Sequence, residues 1–176
     1  MTNQFKSTNI LVVNEHDSSR KMLTAVLRML GPASIDEAYE KTDAYRKFKE
    51  KNHDIVIAAL INASEDVVGL TKLIRTDAAS PNTLTPVIAI AGPKNVHLVD
   101  QAREVGVTDL LQSPFTVDNV SSRLKIALSL AQEALEAAAQ PQEPPVIENA
   151  EKNADAWPVE DEAETLTNML LELYMN

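Results

Sequence analysis

Hydrophobic positions along the chain fall into two rhythms. Short, nearly continuous apolar runs recur at Ile10-Leu11-Val12-Val13, Ile55-Val56-Ile57-Ala58-Ala59-Leu60 and Val87-Ile88-Ala89-Ile90-Ala91. Runs of that length, rich in β-branched residues, fit strands buried on both faces. Between them, apolar residues recur every three or four positions, the spacing of one helix face. Met22, Leu23, Val26, Leu27 and Leu30 predict a helix over about 17–30, with Asp17 or Ser18 as its cap, Gly31 just past its end and Pro32 preventing continuation. Ala44, Tyr45 and Phe48 predict the inner face of a helix over 41–51, after a weak strand at 34–38. Val67, Leu70, Leu73 and Ile74 predict a third helix starting near Asp66. A fourth is expected over 94–105 with Gly106 as its stop. After a strand at 108–112, Val120, Leu124, Ala127, Leu128, Ala131 and Leu135 form the stripe of a long helix beginning near Val117. Five strands alternating with five helices predict a doubly wound parallel α/β sheet with helices on both faces.

The rhythm stops at about residue 140. Residues 140–158 carry Pro141, Pro144, Pro145 and Pro158 among Glu, Asn and Ala, and too few large apolar residues to offset ordering entropy. They are expected to form a disordered linker. Residues 159–176 regain a helical stripe at Leu166, Met169, Leu170 and Leu173, a face suited either to a partner's groove or to the chain's own domain. The expected organisation is thus a polar leader at 1–8, a domain at 9–139, the linker, and an amphipathic tail helix.

Charge sharpens this division. Residues 1–139 hold 17 acidic and 15 basic side chains, whereas residues 140–176 hold 9 acidic ones and Lys152. A nearly neutral domain followed by an acidic tail lacks the cationic footprint of a nucleic-acid binder. The basic residues of the 41–51 helix alternate with Glu40, Asp43 and Glu50, and read as a solvated face. With no cysteine there is neither a disulfide framework nor a thiolate metal site. No apolar run approaches the length of a membrane span. A cytoplasmic setting is the simplest expectation.

Several of these segments, in this order and at this spacing, carry a resemblance. Ile10-Leu11-Val12-Val13 followed by an acidic loop, Pro86-Val87-Ile88, Ala102-Arg103-Glu104-Val105-Gly106-Val107-Thr108-Asp109 and Ser113-Pro114-Phe115 together resemble a response-regulator receiver domain over about residues 8–130. Leu73-Ile74-Arg75-Thr76-Asp77 through Ser80-Pro81-Asn82 resembles a stretch of single-domain receivers of alphaproteobacteria. The resemblance implies a flavodoxin-like sheet of strand order 2-1-3-4-5 and a role in two-component or phosphorelay signalling. It also implies an aspartate at the end of strand 3 that accepts a phosphoryl group, because a carboxylate is nucleophilic and its acyl phosphate labile. An acidic pair after strand 1 would hold Mg²⁺, a hydroxyl and a lysine would bind the phosphoryl oxygens, and an aromatic residue in strand 5 would report the change.

Position by position, this chain departs from that pattern. The acceptor position is Ala59, the acidic pair is Asn14 and Glu15, the hydroxyl position is Ala91, the lysine position is Ser113 and the aromatic position is Leu110. Glu15, Pro114 and Phe115 remain, and the Ser113–Pro114 bond is a candidate cis peptide. Glu15, even with His16 and Asp17 beside it, offers at most a marginal divalent-ion site. No glycine-rich phosphate loop and no nucleophile elbow is present. The expectation is therefore a non-enzymatic pseudo-receiver without a cofactor, acting through protein partners or a second copy of itself. The helix 4, strand 5, helix 5 face, which the resemblance marks as a docking surface, is expected to carry those contacts. Two alternatives are a relay receiver with a displaced acceptor, Asp66 or Asp54, and a small-ligand sensor built on the emptied pocket.

Overall fold

A computed structural model of the chain describes residues 5–60 and 65–139. The expected linker at 140–158 and the tail helix with Leu166, Met169, Leu170 and Leu173 lie outside these residues. The elements follow in strict alternation: β1 (Asn9–Val13), α1 (Asp17–Leu30), β2 (Ser34–Ala38), α2 (Lys41–Glu50), β3 (Ile55–Leu60), α3 (Glu65–Thr76), β4 (Val87–Ala91), a 3₁₀ turn (Pro93–Leu98), α4 (Val99–Glu104), β5 (Asp109–Gln112) and α5 (Val117–Ala139). All strand pairs are parallel and the sheet order is β2-β1-β3-β4-β5. This is the order that the resemblance implied.

Strand alternation sends successive side chains to opposite faces, and two apolar layers result. Leu11, Val13, Val56, Ala58, Val87 and Ala89 meet α2 and α3 through Phe48, Leu70 and Ile74. Ile10, Val12, Ile55, Ile57, Ile88 and Ile90 meet α1 and α5 through Leu23, Leu27, Val120 and Leu124. The central strands are buried on both sides, so they read as unbroken apolar runs. The charged residues of α2 pair with one another, Arg46 with Asp43 and Glu50 at 2.8 Å and Lys47 with Asp43 at 2.9 Å. This is the solvated face expected from the sequence.

Three expectations need correction. Met22 is 65 % exposed, because the inward stripe of α1 runs through Arg20, Leu23, Thr24 and Leu27 and leaves Met22 off its edge. Neither Asp17 nor Ser18 caps α1. The cap position is His16 in extended conformation with no side-chain capping bond, and its own N–H is held by Asn14 Oδ1 at 2.8 Å. The helix expected over 94–105 begins instead as a 3₁₀ turn, and regular α-helix covers only Val99–Glu104. Both glycine stops are as expected: Gly31 and Gly106 have φ of 69° and 89°, a backbone region in which a side chain is strained.

Candidate functional site

Strand register brings the C-terminal ends of β1, β3 and β4 side by side. Val13 lies opposite Ala58, Ala59 opposite Ile90, and Leu60 opposite Ala91. The chain leaving β5 is pinned to the same rim by Ser113, whose N–H donates to the Ala91 carbonyl at 2.9 Å. The Ser113–Pro114 peptide is cis. Together these ends enclose a cleft of about 470 Å³ lined by Asn14, His16, Ser19, Met22, Leu23, Ala59, Leu60, Ile90, Gly92, Pro93, Ser113, Pro114 and Phe115. That volume lies in the range of small-molecule sites.

The residues singled out in the sequence distribute unevenly around this cleft. Asn14, Ala59, Ser113 and Pro114 line it. Ala91 is 7 % exposed and belongs to the apolar layer on the α2–α3 side of the sheet, while its neighbours Ile90 and Gly92 line the cleft. Glu15 is not among the described lining residues, and its carboxylate lies 3.9 Å from His16 Nδ1. Leu110 belongs to a different surface: it is half-buried and packs on the α2–α3 side of the sheet. Among the described residues the lining contains no Lys, Arg, Asp or Glu, and His16 is the one ionisable side chain there.

A Mg²⁺ ion at this rim would need several hard oxygen ligands. The acidic loop supplies one carboxylate, Glu15, and an Asn14 whose Oδ1 already accepts the His16 N–H. That donor set does not fit the ion. Among the described residues, no group of three or more His, Asp or Glu is placed to hold a metal.

The charge of the rim is concentrated beside the cleft, on Arg20, a residue that sequence reasoning missed. Its side chain is 2 % exposed. Nε donates to Glu37 Oε2 at 3.0 Å, one terminal nitrogen to the Asn14 carbonyl at 2.8 Å and the other to Asp17 Oδ1 at 2.6 Å. The guanidinium also lies 3.8 Å from the centre of the Tyr39 ring, a cation–π contact. A buried cation needs such complete pairing to be tolerated. The available signal was positional, since Arg20 falls in line with Leu23 and Leu27 on the helical stripe. Asp17 also pairs with Lys21 at 2.6 Å. That hydrogen bond, with help from Arg20 and against some desolvation, holds the Asp17 carboxyl below its ordinary range.

The opposite end of the sheet is tied by polar contacts of its own. Asp54 Oδ2 accepts the Asn9 N–H at 2.7 Å at the foot of β3. Arg75 donates to the carbonyls of Thr83, Thr85 and Gly106 at 2.8, 2.8 and 3.0 Å, gathering the loops that lead into β4 and β5. A Cβ on Gly106 would come within 3.3 Å of Arg75 Nε.

A five-stranded parallel sheet of this order, with loops converging on a cleft at the strand ends, defines the α/β class in which signalling domains of the receiver type are found. The chain belongs to that family: the response regulator receiver domain model matches residues 10–125. Among curated relatives, the chain is 23 % identical over 116 residues to a probable chemotaxis protein CheY of Rhizobium etli, covering 66 % of this chain and 88 % of the relative. It is 30 % identical over 128 residues to the transcriptional regulatory protein ResD of Bacillus subtilis, covering 73 % of this chain and 51 % of that protein. Among solved structures, a putative response regulator from Chloroflexus aurantiacus superposes with a TM-score of 0.64 at 22 % identity, covering 70 % of this chain and 99 % of its own. The protein is therefore a CheY-like receiver domain of the two-component class. No helix among the described residues is long and apolar enough to cross a membrane.

Proposed function

We propose that this protein is a pseudo-receiver, a receiver domain that does not accept a phosphoryl group at the end of β3 and signals through protein–protein contacts. The observation that carries this reading is the chemistry of the rim. Ala59 presents a methyl where the resemblance places the nucleophilic carboxylate, and the described residues of the surrounding wall offer no cation for phosphoryl oxygens. Phosphoryl transfer depends almost entirely on positioning and electrostatic stabilisation of the transferred group. Ala59, Ala91 and Ser113 together supply neither a carboxylate acceptor nor a cation for that stabilisation. The face built from α4, β5 and α5, with Asp109 and Arg123 paired at 3.0 Å and Leu110 at its edge, is the proposed docking surface. Residues 159–176, through Leu166, Met169, Leu170 and Leu173, are proposed as a second contact element joined by the linker at 140–158.

A displaced acceptor is the competing reading. Asp54 argues against itself: it lies at the N-terminal end of β3, about 16 Å along the strand from Ala59, and its carboxylate holds the Asn9 amide. Asp66 lies in the first turn of α3. Intact-protein mass spectrometry after incubation with acetyl phosphate and Mg²⁺ tests both readings. The pseudo-receiver predicts no added phosphoryl mass. A labile addition that Asp66→Asn abolishes would replace it with the displaced-acceptor relay.

A further inference from the structure

The receiver match ends at residue 125, yet α5 continues to Ala139. At 1.5 Å per residue the continuation adds about 20 Å of helix. Its inward stripe does not end where the domain does. Leu124 is fully buried, Leu128 and Ala131 are half-buried, and Leu135 is 49 % exposed. With Ala138 these residues follow spacings of four, three, four and three, the seam of a coiled coil. The lower part of the seam lines a cleft of about 590 Å³ together with apolar Phe48, Pro81 and Pro86 and with polar residues such as His53 and Asp54. A helical extension of this length is marginal on its own and is held chiefly by what it packs against.

We infer that the seam is an antiparallel self-association site, in which α5 of a second copy lies along Leu128, Ala131, Leu135 and Ala138. Three features of the sequence select this occupant. In an antiparallel pair each Leu position faces the other class of seam position, so Leu128 meets the partner's Ala138 and Leu135 meets the partner's Ala131 in one common register. Large then packs on small in every layer, which gives interdigitation without voids. A parallel pair would instead stack Leu on Leu and Ala on Ala, leaving the Ala layers underfilled. The flanking positions are Gln132, Ala134 and Ala139, so no like charges meet across the seam, while Glu133 and Glu136 point outward. Antiparallel pairing also sends the two domains to opposite ends, so their sheets do not collide. The seam is short, so the dimer should be reversible and concentration-dependent. This inference is independent of whether Ala59 or any other residue is phosphorylated.

Sedimentation velocity of the full chain over a wide concentration range tests it. The expected result is a monomer–dimer equilibrium whose dissociation constant rises about 30-fold or more in Leu135→Glu. Met29→Glu, on an exposed position of α1, should leave it unchanged. Orientation is read separately, because the chain has no cysteine of its own. Mixing an Ala131→Cys chain with a Leu135→Cys chain should give a disulfide-linked heterodimer under mild oxidation, and Leu135→Cys alone should not cross-link. A chain that stays monomeric at every concentration would overturn the inference. So would a dimer indifferent to Leu135→Glu, cross-linking of Leu135→Cys to itself, or a monomer in which deletion of residues 159–176 exposes the seam.

Discussion

The rim at the C-terminal ends of the strands has two neighbouring parts built on opposite principles. Over β1 and β2, the buried Arg20 guanidinium gathers Glu37, Asp17 and the Asn14 carbonyl into one paired cluster. Over β3, β4 and β5, a few ångströms of chain away, the cleft is walled by Leu60, Ile90, Pro93, Pro114 and Phe115 around the Ala59 methyl. Asn14 belongs to both parts. Its carbonyl binds Arg20 and its side chain lines the cleft. Charge here holds the β1–α1 loop, whereas the described residues lining the neighbouring cleft include no Lys, Arg, Asp or Glu. A charged neighbourhood by itself does not mark a site, because here the charges are all engaged with one another.

This contrast can be broken from either side. The largest effect is expected from Arg20→Ala, which removes a buried cation with three hydrogen bonds and leaves Glu37 and the Asn14 carbonyl without it. A loss of about 3 kcal/mol is expected, measured as a shift in urea midpoint at unchanged slope. The cleft side should tolerate change better. The combined variant Asn14→Asp, Ala59→Asp, Ala91→Thr, Ser113→Lys should cost about 2 kcal/mol, mostly at the buried Asn14 and Ala91, since Ala59 and Ser113 are only partly buried and border open volume. It should also gain a labile phosphoryl mass with acetyl phosphate and Mg²⁺, which the pseudo-receiver reading does not expect of the natural chain. Failure of a folded quadruple variant to label would mean that the rim differs from working receivers in more than these four side chains. The smallest effect concerns Asp17. Its carboxyl titrates below its ordinary value in the folded chain, so its contribution to stability is complete above about pH 4 and is lost as pH falls through the folded value. Comparing urea midpoints at about pH 7 and about pH 3 should show the natural chain losing more stability than Asp17→Asn.

The sheet was legible because its signal is redundant. Each central strand is buried on both faces and so reads as a continuous apolar run, and each helix shows its stripe several times over. The errors fall where one polar side chain decides the outcome. Met22 was misplaced because Arg20, a charged residue, occupies the inward position that an apolar stripe would assign elsewhere. The cap of α1 was misread because Asn14, three residues before Asp17, takes up the loop N–H instead. The 3₁₀ start of the fourth helix left no mark in periodicity, since one turn is too short to distinguish the two spacings. At the rim, the sequence showed which chemical groups were absent, and register explains why Ala59 and Ser113 share one cleft. That Ala91 and Leu110 both turn to the apolar layer on the α2–α3 side follows from strand alternation, which position-by-position matching does not weigh.

Leu110 settles one further matter. In a domain that carries a phosphoryl group, the modification itself does the work of favouring one conformer over another. Here the side chain at the end of β3 offers no such handle, and Leu110 rests against the apolar layer between the sheet and α2–α3. If the domain is a pseudo-receiver, as proposed, any balance between conformers is fixed by the chain alone until something binds. Under that reading, a partner can tilt it only by its own preference between the two forms. A hundredfold preference is about 2.7 kcal/mol, and that is the most such a partner can transmit. Information in this domain would therefore be carried by concentration and affinity, with no covalent memory of an earlier signal once the partner has dissociated.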